Sequence, residues 1–256
     1  MNRSQFERLF DLTGRVAIVT GGTRGIGRAI AEGLTLAGAS VAVASRKVDA
    51  CKETEAHLQS LGGDSIGVPT HVGEVEQLSA LVGQTADRCG RIDIIVTNAA
   101  NALGLPVGEF TPSAWSKSFD VNLRGPVFLV QEALPFLKSS GKASVINVIS
   151  VGAFLFSEHE AMYAAGKAAL MSFTRTMAAA YAPYAIRVNA LAPGTTDTDM
   201  VRNTGPESVE AMTGASRLKR LASPDEMVGP ALLLASDAGS YMTGQVLIAD
   251  GGLAPH

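Results

Sequence analysis

The chain has 256 residues, 46% of them hydrophobic and 18% charged, which supplies a sizeable core and excludes a disordered composition. A formal charge of −3 argues against a nucleic-acid-binding surface, and no apolar run reaches the length of a membrane span. The two cysteines, Cys51 and Cys89, lack ligand spacing, and "MNRSQFERLFDLTGR" has no apolar leader core, so a reducing, cytoplasmic setting is expected.

Strand and helix signals alternate along the whole chain. A β-branched run at 15–20 precedes a helix in which Ile26, Ile30 and Leu34 recur four apart. A strand at 40–45 leads into a charged amphipathic helix that stops at Gly62 and Gly63. A weaker strand covers 65–69, a helix 74–89, and a fourth strand 93–100. One long helical pattern then runs over 113–137, with Pro126 and Pro135 expected to limit or kink it. Further strands are read at 143–150, 186–193 and 244–252, with a small-residue helix around Tyr163 between the first two. This alternation predicts an α/β fold, a single-domain Rossmann-type doubly wound parallel sheet of about seven strands, preceded by an extension over 1–11. In such sheets ligands lie beyond the carboxyl ends of the strands, so the functional residues should follow strands.

They do. "TGGTRGIG" (20–27) follows the first strand, and Gly21, Gly25 and Gly27 let the backbone turn tightly toward a phosphate at the start of a helix. Thr23, Arg24 and Ile26 belong to the same loop. The second strand ends in Ser45, Arg46 and Lys47, with no acid to take the two ribose hydroxyls of NAD. A 2′-phosphate would be repelled by an acid and gripped by a guanidinium, and Arg24 could reach it from the loop. The expected cofactor is therefore NADP(H).

On the small-residue helix, "EAMYAAGKAAL" places Tyr163 and Lys167 one turn apart on one face. Ser150 closes the fifth strand thirteen residues before Tyr163. Ser150, Tyr163 and Lys167, with the TGxxxGxG loop, closely resemble the short-chain dehydrogenase/reductase family over 12–252, most like its NADP-dependent carbonyl and retinol reductases and 3-oxoacyl-carrier-protein reductases. "TNAA" (97–100, with Asn98, Ala99 and Ala100) stands where that family has Asn-Asn-Ala-Gly beside the cofactor, and Asn122 matches its helix-kinking Asn. "RVNALAPG" matches a late strand ending and brings Pro193, Gly194, Thr196 and Thr198 to the cofactor by resemblance. There are two departures. His71, followed by Val72, replaces the usual Asp at the adenine edge, and "TNAA" lacks the second Asn and the Gly.

The resemblance implies interconversion of a carbonyl and an alcohol by hydride transfer, with Tyr163 exchanging the proton. A free phenol titrates near pH 10. A cation about 4 Å away, at an effective dielectric near 20, favours the phenolate by about 4 kcal/mol, or up to roughly three pKa units before desolvation. Lys167 is therefore expected to tune Tyr163 and, by resemblance, to bond the nicotinamide ribose. Ser150 would donate to the substrate oxygen. By resemblance, Asn122 holds a water that relays protons to Lys167. The small residues Ala164, Ala165, Gly166, Ala168 and Ala169 permit close helix packing, either within the chain or, as in the family, against a partner in a homotetramer.

Phe154, Leu155 and Phe156 read as an apolar substrate wall, with polar Ser157, Glu158, His159 and Glu160 at its entrance. The mixed segment 195–221 reads as a lid. No metal site is expected. The substrate is a small carbonyl or alcohol; a 3-oxoacyl thioester, or a non-catalytic dinucleotide-binding redox sensor on the same fold, are the other readings.

Overall fold

The computed structural model describes residues 1–155 and 160–254. Within these, β1 (Val16–Thr20), β2 (Ser40–Ser45), β3 (Ile66–Pro69), β4 (Ile94–Thr97), β5 (Ser144–Val148), β6 (Arg187–Pro193) and β7 (Val246–Ala249) pair in parallel in the order β3-β2-β1-β4-β5-β6-β7. Each strand lies inside the predicted run, and most are shorter than it; β4 and β5 end early at their carboxyl ends, where the chain leaves the sheet toward Asn98 and Ser150. The first helix, α1 (Arg3–Glu7), is capped reciprocally by Asn2 and Gln5 and lies in the expected N-terminal extension.

Strand side chains alternate between two cores. Ala17 and Val19 of β1, Ile94 and Val96 of β4 and Ile146 of β5 face one layer, with Ile30 and Leu34 of α2 (Gly25–Leu36) and Leu58 of α3 (Val48–Ser60). Ile18, Ile95 and Val145 face the other, with Leu78 and Leu81 of α4 (Val75–Cys89). Burial on both faces explains why the strands read as continuous apolar runs. The edge strand β3 is blunted against pairing with another chain: Pro69 has no N–H, and the Gly67 N–H donates to Glu55 Oε2 at 3.0 Å.

The strand order reverses between β1 and β4, which opens the crevice at their carboxyl ends. Most of the residues proposed from the sequence follow these strand ends. No helix among the described residues is long and apolar enough to cross a membrane.

The long helix predicted over 113–137 is divided. Helix α5 (Pro112–Phe119) gives way to a π-turn at Asp120–Arg124, and α6 (Gly125–Ser140) follows. Pro126 sits in the first turn of α6, directly after the π-turn, and Pro135 lies within α6 without ending it. The Gly125 N–H donates to Asp120 O, five residues back, which is the wide ladder of a π-turn.

Helix α7 (Ala161–Tyr181) buries Met162, Gly166, Leu170, Thr174 and Ala178, spaced four apart, against the sheet. The segment between β6 and β7 folds into α8 (Asp199–Arg202), α9 (Pro206–Ala215) and α10 (Val228–Ala235).

Candidate active site

The phosphate loop is held shut by one side chain. Asn98, just past β4, donates from Nδ2 to Thr20 O at 3.0 Å and to Gly21 O at 3.2 Å. The backbone N–H groups of Asn98 and Ala99 both donate to Thr20 Oγ1. Gly21 and Gly25 have φ of +64° and +52°, a region that favours glycine. A Cβ on Gly27 would stand 2.3 Å from both Asn98 Nδ2 and Gly21 O, so only glycine fits there. No side chain caps the N-terminus of α2, so its first-turn N–H groups are left for an anion. This glycine-lined cradle at an uncapped helix start suits the pyrophosphate of a dinucleotide. Thr23 and Ile26 are half-buried within it.

At the adenosine end, Ser45 closes β2 and its carbonyl accepts the Thr70 N–H at 2.8 Å. Arg46 and Lys47 follow, exposed, and neither forms an ion pair among the described residues. Arg24 is paired with Asp199 of α8 at 3.2 Å across the mouth of the loop. The Thr198 methyl lies 3.1 Å from where a Gly25 Cβ would be, so the segment after β6 packs against the glycine loop. His71 Nδ1 accepts the Gly73 N–H at 3.2 Å, while the His71 backbone N–H donates to Gln77 Oε1 at 2.7 Å. With Nδ1 occupied as an acceptor, the neutral ring carries its proton on Nε2 and offers a donor where an Asp would offer an acceptor. Val72 is buried in the core, and its carbonyl packs against Gly125. Pro193 ends β6, and Gly194 N–H donates to Ala249 O at 2.9 Å. Thr196 is buried with its hydroxyl on Gly194 O, and the Thr198 hydroxyl bonds Thr196 O.

Ser150 lies two residues beyond β5, where its Oγ accepts the Gly152 N–H at 3.0 Å and caps a short 3₁₀ turn. Because that bond uses a lone pair, the Ser150 proton remains available for donation, and the Ser150 and Tyr163 hydroxyls are hydrogen-bonded. Lys167 is fully buried; its Nζ donates to Val148 O at 2.8 Å and lies 5.7 Å from the centre of the Tyr163 ring. The spacing read from the sequence thus brings Ser150, Tyr163 and Lys167 together.

Their protonation differs from the expectation. Burial holds the Tyr163 phenol above its ordinary value; the Ser150 hydrogen bond opposes this and the Glu160 carboxylate adds to it. Burial also lowers the Lys167 ammonium to about 8. The expectation of a phenol depressed by a nearby full cation is therefore corrected: desolvation, which penalises both charged forms, is the largest cause at each group.

Asn122 is buried in the π-turn, and a Cβ on Gly166 would come within 3.2 Å of its Cβ. Gly166 thus serves a neighbour within the chain, while Ala165 is exposed. Phe154 and Leu155 are exposed beside Ser150, consistent with an apolar wall; Phe156, Ser157, Glu158 and His159 lie outside the described residues. No group of three potential metal ligands occurs among the described residues.

Two features escaped the sequence reading. Thr97, where the family has Asn, donates to Asn147 Oδ1 at 2.9 Å, and Asn147 Nδ2 donates to Thr174 Oγ1 at 2.9 Å, so a buried polar chain ties β4, β5 and α7 together. Asn101 forms a second such link to Asn122. The "NAAN" stretch was its only sequence signal.

A glycine-lined phosphate cradle beside a Ser-Tyr-Lys set, on a sheet that reverses at that point, defines a nicotinamide-dinucleotide oxidoreductase site. The family model described as Enoyl-(Acyl carrier protein) reductase matches residues 21–254. Human "Dehydrogenase/reductase SDR family member 4" is 36% identical over 255 residues, covering 98% of this chain and 92% of the relative. A Pseudomonas aeruginosa rhamnolipids biosynthesis 3-oxoacyl-[acyl-carrier-protein] reductase is 36% identical over 250 residues, covering 95% and 97%. A gluconate 5-dehydrogenase from Burkholderia cenocepacia, solved with NADP and tartrate, superposes with a TM-score of 0.92 at 32% identity, covering 97% of this chain and 98% of that one. The chain belongs to the short-chain dehydrogenase/reductase family and is an NAD(P)-dependent oxidoreductase that interconverts carbonyl and alcohol groups.

Proposed function

We propose that the enzyme uses NADP(H) and works as a carbonyl reductase in which Tyr163 donates the proton. The observation that carries this is the geometry around α7: the Ser150 and Tyr163 hydroxyls are hydrogen-bonded, and the fully buried Lys167 Nζ lies 5.7 Å from the centre of the Tyr163 ring. The phenol, neutral at pH 7, is the proton donor for the alkoxide formed in reduction. Bound NADPH supplies the hydride. Ser150, next to Tyr163, donates a hydrogen bond to the carbonyl oxygen as charge develops on it. The Lys167 ammonium stabilises the phenolate left behind and also binds the nicotinamide ribose.

Gly21, Gly25 and Gly27 receive the pyrophosphate at the start of α2, with Thr23 and Ile26 in the same turn. Ser45, Arg46, Lys47 and Arg24 surround the 2′-phosphate, and His71 with Val72 borders the adenine. Asn98, Ala99 and Ala100 border the nicotinamide half on one side, with Pro193, Gly194, Thr196 and Thr198 on the other. The substrate is a small ketone or aldehyde; the name of the Pseudomonas relative keeps a 3-oxoacyl thioester as the second reading. The exposed rings of Trp115 on α5 and Phe173 on α7 support assembly of copies into a homotetramer through that face.

Arg46→Glu tests the cofactor assignment. Placing an acid beside the 2′-phosphate should raise the Kd for NADPH by about 10- to 100-fold and leave NADH binding almost unchanged, as read by fluorescence titration. An equal change for both would show that Arg46 does not meet the 2′-phosphate.

A further inference from the structure

We propose that His71 makes the base end of the cofactor site read hydrogen-bond acceptors, so that a dinucleotide whose purine carries an oxo group at C6 binds at least as tightly as one with the amino group of adenine. The inference rests on the dinucleotide reading above and specifies the base that site selects.

The fold places the base. A dinucleotide runs outward from the cradle at the start of α2 to the end of β2, where its ribose is held. The next strand outward is β3, with Pro69 opposite Ser45, so the base falls over the residues that follow Pro69. Thr70 is buried with its hydroxyl on Val68 O at 3.1 Å. The His71 ring and the Val72 N–H are the polar groups next in line.

The His71 ring cannot offer its acceptor there. Nδ1 accepts the Gly73 N–H at 3.2 Å, and a Cβ on Gly73 would stand 3.0 Å from the His71 Cε1, so the ring lies against that backbone. The turn is clamped on three sides. The His71 N–H donates to Gln77 Oε1 at 2.7 Å, the Glu74 N–H to His71 O at 2.9 Å, and Arg124 Nη2 to Gly73 O at 2.6 Å. Nε2 therefore carries a hydrogen, and no group among the described residues accepts it. Asp120, beside Gly73, is paired with Arg124 at 3.3 Å. The N–H of buried Val72 also has no acceptor among the described residues. Two unpaired donors suit the edge of a 6-oxopurine, where O6 and N7 both accept. Adenine satisfies one donor through N7 and sets its amino group against the other.

The test compares Kd for NADPH with Kd for its hypoxanthine counterpart, both read from nicotinamide fluorescence. The wild type should bind the hypoxanthine form as tightly as NADPH or more tightly. His71→Asp replaces the donor by an acceptor, which favours the amino group and repels O6. The ratio of Kd for the hypoxanthine form to Kd for NADPH should then rise at least about tenfold. His71→Phe keeps a flat ring on Gly73 without the donor, and the same ratio should rise about 3- to 10-fold. A wild type that binds the hypoxanthine form more than about threefold more weakly than NADPH would overturn the proposal, and needs no variant to show it. So would a ratio that stays within about twofold of wild type in both variants while they still bind NADPH. A wild type that binds neither NADPH nor NADH would instead remove the dinucleotide reading, and the base assignment with it.

Discussion

Replacing Tyr163 by Phe is expected to lower kcat for carbonyl reduction by about 10²- to 10⁴-fold and to change NADPH affinity by less than about tenfold. The substitution keeps the ring beside Lys167 and removes only the hydroxyl that Ser150 bonds. Because burial and Glu160 keep that hydroxyl protonated at neutral pH, it is the proton source the reaction draws on. Kinetics at saturating NADPH, with Kd read separately from cofactor fluorescence, distinguishes the outcomes. Loss of NADPH binding would make Tyr163 a structural residue, and retained turnover would remove it from the chemistry.

Lys167→Met should lower kcat by at least about 10²-fold and, unusually for an active-site change, flatten part of the pH dependence of stability. The ammonium titrates near 8 in the folded chain, against 10.5 as the ordinary value. Between those pH values the unfolded chain binds more protons than the folded one, so wild-type stability rises with pH. The rise is ~3 kcal/mol across that window; below pH 8 the full cost of the buried ammonium is present, and above 10.5 it is gone. Methionine carries no such charge, so the difference in unfolding free energy between variant and wild type should be largest below pH 8 and shrink toward pH 10.5. Tyr163 titrates in both proteins and drops out of the difference. Wild-type kcat should also decline as pH passes about 8, where Lys167 loses its proton. A constant difference from about pH 7 to 10.5 would show that Lys167 is not held as a destabilised ammonium.

Much of this was legible because it is local. The Tyr163 and Lys167 spacing fixes one helix face, and the glycines at 21, 25 and 27 fix one turn, whatever the rest of the chain does. What was missed depends on residues distant in sequence. Pro126 and Pro135 mark the divided stretch in the sequence, whereas the amide that reaches Lys117 O comes from Asn101, sixteen residues earlier. The Arg24–Asp199 pair joins positions 175 apart, so the sequence showed Arg24 only as a phosphate ligand. Protonation was misjudged for the same reason: spacing gives the separation of two charges but not how completely the fold removes them from water. Thr97 shows the converse: "TNAA" was legible as a departure from the family stretch, but not that Thr97 is tied through Asn147 to Thr174.

The central claim is NADPH-dependent reduction of a carbonyl at Ser150, Tyr163 and Lys167. Its most direct test is consumption of NADPH and of NADH across diacetyl, aromatic ketones, retinal, an acetoacetyl thioester and a keto sugar. The account predicts turnover with at least one class and a higher kcat/KM for NADPH than for NADH. Tight NADPH binding with no consumption against any of these carbonyls, and no reduction of NADP⁺ by the corresponding alcohols, would contradict it and leave a dinucleotide-binding sensor.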